Sequence, residues 1–432
     1  MNTTTSIKTA LKNDTSTTDL KKWCYSDTLW MLSLYGTAIG AGVLFLPINA
    51  GAGGLIPLIV MAILAFPMTF YAHRALARFV LAGKDPNGDI TVVATEFFGI
   101  SIGRLITLLY FFAIYPILLV YSVGITNTVE SFIVHQMGMT APPRMFLSFI
   151  LIALLMTIVH FGEGLIVRVM SVLVFPFVGV LMLLALYLIP QWNGALFENI
   201  SFSVSDFSLW HTLWLAIPVM VFSFNHSPII SSLAVAKRKE YGDKLVDKKC
   251  SQIIAASNIM MVITVMFFVF SCALTLSPAQ LAEAKAQNIS ILSYLANALN
   301  SPVIAYLAPF IAFVAISKSF LGHYLGAKEG FNSLVAEAYT KRNKHIDSKK
   351  LDRITMAFMF ITAWIIATLN PSILGMIEAL GGPVIAMILF IMPMYAIHKV
   401  PALKQYRGKI SNIFVVIMGL IAISAVIYNL VS

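Results

Sequence analysis

Charge is what this sequence has least of. Asp, Glu, Lys and Arg make up 11% of its 432 residues, against about 25% in an ordinary soluble domain. From Thr28 to Tyr71 none of them occurs, nor any His, and Leu105–Val129 is equally bare. Such runs exceed the roughly 20 apolar residues that span a bilayer core, and they recur along the whole chain. A separate soluble domain is therefore excluded. Cysteine is also scarce: Cys24, Cys250 and Cys272 are scattered without CxxC spacing. That excludes a disulfide framework and offers no metal site. There is no HExxH and no Walker lysine loop. A catalytic residue, a cofactor and an ATP-driven cycle are accordingly not expected. A channel would need a filter or a ring of charges, and neither is present. Residues 1–27 are polar and lack the apolar segment of a cleaved signal peptide. They are expected to form a disordered cytoplasmic tail.

What the sequence does have is hydrophobic residues, 59% of the total. Hydropathy places about eleven spans at 28–49, 54–80, 104–134, 145–161, 168–190, 210–236, 251–276, 303–335, 353–370, 372–398 and 410–431. The net charge of +10 fits membrane topology better than nucleic-acid binding. With the N-terminus inside, the loops Lys237–Lys249 and Lys341–Arg353 each place six Lys or Arg on the cytoplasmic side. The outer loops, among them the one between spans seven and eight, hold only Arg144 and Lys285. By the positive-inside rule the N-terminus is cytoplasmic and the C-terminus periplasmic.

Two spans are interrupted. Span one carries Gly36, Thr37, Ala38, Ile39, Gly40, Ala41 and Gly42 in one run. Each glycine weakens a helix by about 1 kcal/mol relative to Ala. Taken alone, the run reads either as an unwound segment or as a small-residue packing face. Span six carries Phe222, Ser223, Phe224, Asn225, His226 and Ser227 before Pro228. Polar groups so dense at membrane depth need partners, and proline there starts a new helical segment. Interruptions five spans apart are the signature of an inverted repeat, spans one to five (28–190) against six to ten (210–398), with an eleventh helix at 410–432. The substrate site is expected at the break points. Free N–H groups at half-helix N-termini suit a carboxylate, and free carbonyls at C-terminal ends suit an ammonium. A zwitterion, a small amino acid, fits both. The site residues expected are Gly36–Gly42, Phe222, Ser223, Asn225, His226 and Ser227.

Three runs carry a resemblance: DTLWMLSLYGTAIGAGVLFLPINAGAGGLIPL at Asp27–Leu58, MVFSFNHSPIISS at Met220–Ser232, and SKSFLGHYLGAKEG at Ser317–Gly330. They resemble the hydroxy and aromatic amino acid permeases of bacteria, and most nearly the proton-coupled serine carriers among them. The resemblance covers nearly the whole chain. It implies an all-α, eleven-span transporter of the LeuT-type fold in the bacterial inner membrane, importing L-serine with protons. Its expected partners are L-serine, protons and membrane lipids, with no nucleic acid and no obligate protein partner. A sodium-coupled, threonine or aromatic amino acid carrier of the same family is the rival.

An ionisable residue within a span is a functional candidate by default. Lys318 lies about 16 residues into span eight, with no charged neighbour in sequence. In LeuT-type sodium symporters span eight packs on span one and helps hold sodium. An ammonium there could replace that ion, touching carbonyls near Gly36–Ile39, or it could be a permanent strut. His226 reads as a substrate contact or proton relay, or as a cap on the broken backbone. Glu378, ahead of Gly381-Gly382-Pro383, could take up protons from outside or pair with a polar neighbour. Lys318, His226 and Glu378 are the proton-coupling candidates.

Overall fold

The computed structural model describes residues 22–51, 54–161, 163–195, 207–299 and 301–431. Among them every regular element is a helix and no strand occurs. Hydrocarbon offers no partner to a backbone N–H or C=O, so a lipid-facing segment must satisfy both within itself. Helices α1 (Tyr25–Ala38) and α2 (Ala41–Gly51) are joined by a 53° bend. They are followed by α3 (Leu55–Leu81), α4 (Ile90–Ser131), α5 (Arg144–His160), α6 (Glu163–Leu188) and α7 (Phe207–Ser223). The second half holds α8 (Ile230–Thr275), α9 (Pro278–Ala286), α10 (Ile291–Ala298), α11 (Pro302–Thr340), α12 (Ser348–Leu369), α13 (Ile373–Lys399) and α14 (Ile410–Val431).

Among the described residues, seven helices are long and apolar enough to cross a membrane, or eight if α1 and α2 form one bent span. One of the seven stretches, Leu213–Thr275, is 63 residues long, room for two crossings at about 20 residues each. Two shorter apolar helices, Arg144–His160 and Ile410–Ala425, stand beside them. Helix starts are marked by side-chain caps. Asp89 accepts from the Thr91 and Val92 N–H groups, and Ser301, followed by Pro302 at the first helical position, accepts from Ile304.

Three expectations change. The tail expected over 1–27 falls mostly outside the described residues, but its end is ordered: α1 begins at Tyr25, and Asp27 is fully buried. The basic stretch 237–249 is not an open loop. Helix runs through it with a kink at Gly242, whose φ of +65° turns the chain without a Cβ penalty. The segment between spans seven and eight is not plain loop either. It forms α9 and α10, which bury Leu281, Ala284 and Leu295. Leu281 packs against Gly51 at the end of α2, where a Cβ would lie 2.6 Å from its Cδ1. The hairpin thus covers one end of the broken span. The long helix α11 packs along α4, and α3 packs along α8.

Candidate transport site at two helix breaks

Both predicted interruptions are present. In the first, α1 ends at Ala38, Ile39 takes extended angles (φ −80°, ψ 100°), and helix resumes at Ala41. In the second, α7 ends at Ser223 and Asn225 and His226 leave helical geometry. Ser227-Pro228-Ile229 then makes a 3₁₀ turn into α8. The breaks touch. A Cβ on Gly42 would lie 2.7 Å from Phe222 Cδ1 and 2.8 Å from Ser223 Cα. So Gly42 is a glycine because a neighbouring backbone passes where its side chain would be. Apart from Ala41, whose side chain is not described, Gly36–Gly42 and Phe222–Ile230 are buried throughout.

The local bonding follows from the lost helix. Ser223 donates to the Val219 carbonyl at 2.7 Å and Thr37 to the Ser33 carbonyl at 2.9 Å, each one turn back. Asn225 Oδ1 accepts the Ser227 N–H at 3.1 Å, closing the turn that the backbone cannot. His226 Nδ1 lies 3.1 Å from the Phe224 carbonyl, while its Nε2 has no hydrogen-bond partner among the described residues.

Helix α11 serves both breaks. Ser319 Oγ donates to the Ile39 carbonyl at 2.6 Å and lies 3.4 Å from the Gly36 carbonyl. One turn further, His323 Nδ1 meets the Ser319 carbonyl at 2.9 Å and its ring stands edge-on to Tyr121 at 5.1 Å. Tyr121 in turn abuts Gly40, as does Ser319. About two turns past Ser319, Gly326 lets α11 close on Pro228, 2.7 Å from a built Cβ.

Lys318 needs a correction. It is fully buried beside Gly36, its Cδ 3.5 Å from where a Cβ would stand. Yet it does not take the carbonyls of Gly36–Ile39; Ser319 does. The reason is rotational: neighbouring residues on a helix point about 100° apart. Lys318 Nζ instead lies 4.0 Å from the centre of the Phe177 ring and 5.9 Å from that of Tyr35. It has no hydrogen-bond or carboxylate partner among the described residues. A cation over a ring face is attracted by the ring's quadrupole, but more weakly than by a carboxylate.

Glu378 stands apart from the breaks, in the π-helical turn Ile377–Gly381 of α13. It accepts from Asn49 Nδ2 at 2.9 Å and lies 3.8 Å from Lys285 Nζ. The pairing alternative is what the structure shows for it. Three residues later, Gly381 abuts Phe222, so α13 also braces the second break.

The residues that sequence reasoning missed are Ser319, Phe177 and His73. Nothing in local sequence distinguished Ser319 from its neighbours. His73 lies inside α3, 153 positions from the His226 it contacts. At the basic end of the bundle Cys24, Asp27 and Glu240 converge. Lys237 and Lys249 already neutralise that group, with ammonium-to-carboxylate distances of 2.8 to 3.1 Å.

Two interrupted helices meeting inside a helical bundle define a multi-pass membrane transporter. The chain belongs to the tryptophan/tyrosine permease family, whose sequence model matches residues 29–432. It is 71% identical over 413 residues to the serine transporter SdaC of Escherichia coli (strain K12), covering 95% of this chain and 96% of that one. It is 49% identical over 425 residues to the threonine/serine transporter TdcC of Escherichia fergusonii, covering 94% and 96%. Its fold is similar to that of MhsT, crystallised with L-phenylalanine. The TM-score is 0.58 at 19% identity, over 93% of this chain and 97% of that one. The fold is the LeuT type expected.

Proposed function

We propose that this protein imports L-serine with protons across the bacterial inner membrane by alternating access. The observation that carries the transport site is the meeting of the two breaks at Gly42, Phe222 and Ser223. Unwound backbone at membrane depth is tolerated where it lines a binding cavity. The N-terminus of α2 faces a substrate carboxylate, and the carbonyl ends of α1 and α7 face its ammonium. His226 Nε2, buried and unbonded in the described structure, serves the serine hydroxyl. Serine as the substrate follows the 71% identity to a protein named a serine transporter.

Eleven spans, arranged as inverted repeats over 28–190 and 210–398 with an added helix at 410–432, complete the architecture. The Lys and Arg bias places the N-terminus in the cytoplasm and the C-terminus in the periplasm. Lys318 is the coupling residue. Its ammonium occupies the space beside the span-one break where related folds hold a cation, and among the described residues it has no anion to fix its charge.

The test is uptake by the purified protein in vesicles. Serine accumulation in sodium-free buffer, abolished by a protonophore, is expected. Uptake that requires sodium would overturn the coupling. A competition panel of serine, threonine, tryptophan and tyrosine settles the substrate, and preferential displacement by an aromatic amino acid would overturn serine.

A further inference from the structure

We propose that His73 is a positioning residue for the transport site, holding the span-six break in shape by accepting the His226 backbone N–H. The inference rests on the reading of that break as the substrate site.

The two imidazoles lie flat on one another, centroids 3.5 Å apart and planes 9° apart. The His226 N–H donates to His73 Nε2 at 3.1 Å. On the other side of the His73 ring, Nδ1 is 2.8 Å from the Thr69 carbonyl, which can only accept. Together these contacts allow one arrangement: Nδ1 carries the hydrogen and Nε2 is bare. The tautomer is thus set by His73's own helix, one turn back.

The geometry matters because of what the break lacks. His226 is the residue where helical hydrogen bonding has stopped, with φ −131° and ψ 21°. Its N–H has no carbonyl four residues back to use. A buried, unpaired backbone N–H is costly, and hydrocarbon offers it no acceptor. His73 does. It also ties the break to α3, which packs along α8 as one unit. The ring stack then fixes the plane of His226, and so the direction in which Nε2 faces. Both rings are buried, and no carboxylate or ammonium bonds to either among the described residues. The pair works as neutral dipoles.

Two substitutions separate the parts of this device. His73→Phe keeps a ring against His226 and removes the acceptor. His73→Gln loses the ring and keeps an acceptor oxygen near the position of Nε2. In full-length protein in vesicles, His73→Phe is expected to raise KM for serine about tenfold, the scale of one lost buried hydrogen bond. Turnover should change little, and His73→Gln should restore most of the affinity. Hydrogen exchange measured on peptides across 222–230 should accelerate in the Phe variant and not in the Gln variant. Parent-like KM and exchange in the Phe variant would overturn the proposal, and so would equal losses in both variants. Should neither variant fold, exchange in the unsubstituted protein decides: a protected His226 amide supports the bond, and a freely exchanging one removes it. If the unsubstituted protein carries no serine at all, the functional reading fails, while the exchange result still tests the bond.

Discussion

Two buried lysines make opposite use of the same charge. Lys237 and Lys318 are both fully buried, in the second half of the chain. Lys237 sits among anions: Asp27 at 2.8 Å and Glu240 at 2.8 Å, with Ser26 Oγ at 2.8 Å. Lys249 joins the same Asp27 at 3.1 Å, and Tyr241 donates to it at 3.0 Å. This knot binds the start of α1 to α8 on both sides of its Gly242 kink. Lys318 Nζ has, among the described residues, the rings of Phe177 and Tyr35 and no hydrogen-bond partner or carboxylate. A buried ion pair is hard to break because either partner, left alone, is an uncompensated charge. A buried ammonium with no anion has no such hold. Losing or moving its proton strands nothing. The difference teaches that burial alone does not fix how a lysine's charge is held: one is locked among anions, the other, among the described residues, stands over a ring face.

The largest expected effect breaks the comparison on the strut side. Lys237→Met leaves Asp27 with one ammonium fewer and should cost about 3–5 kcal/mol of stability, read as a fall in melting temperature in detergent. Adding Asp27→Asn should recover part of that loss, because the stranded anion is gone. Lys318→Met should show the contrast: unchanged or higher stability, since an apolar side chain of similar length replaces an unpaired charge. A stability loss as large as that of Lys237→Met would make Lys318 a strut too.

On the transport side, Lys318→Gln should lower concentrative serine uptake by at least about tenfold, a difference of about 1.4 kcal/mol. Serine exchange between equal pools should persist. Proton flux measured beside serine uptake decides the point, and undiminished coupled uptake would sink the role. Smaller effects belong to the packing that frames Lys318. Gly40→Ala drives a methyl into Ser319 and Tyr121 and should cost about 1–3 kcal/mol by overpacking, visible as lower stability together with weaker serine binding. Ser319→Ala removes the bond to the Ile39 carbonyl and should cost about 0.5–1.5 kcal/mol. No change in serine affinity there would show that Ile39 holds its shape unaided.

Much of the fold could be read from the sequence, because in a membrane the period of apolar runs and the position of Pro and Gly are direct physical constraints. Each predicted span contains a helix. The breaks fall where Gly36–Gly42 and Ser223–Pro228 put them. Harder to read were contacts between remote elements. Ser319 and Lys318 are adjacent in sequence, and only the rotation of α11 against α1 shows which one reaches the carbonyls. Tyr121 stands against Gly40, a contact that no local feature of span three announces. His73 has no local mark of function, since its partner is brought to it by the packing of α3 on the second break. The basic stretch 237–249 reads as loop because charge dominates it, yet pairing with Asp27 and helical hydrogen bonds on either side of Gly242 keep it ordered.

By itself the sequence determined that this chain crosses a membrane as helices, that two of them are interrupted, and where. Hydrocarbon forbids the alternatives, and glycine and proline act on the backbone they belong to. Only the tertiary structure decided what meets at the interruptions. That Ser319 holds Ile39, that Phe177 faces Lys318, and that His73 receives the His226 N–H all depend on how helices rotate and stack. Those choices are made by packing between segments more than a hundred residues apart, which no local pattern encodes.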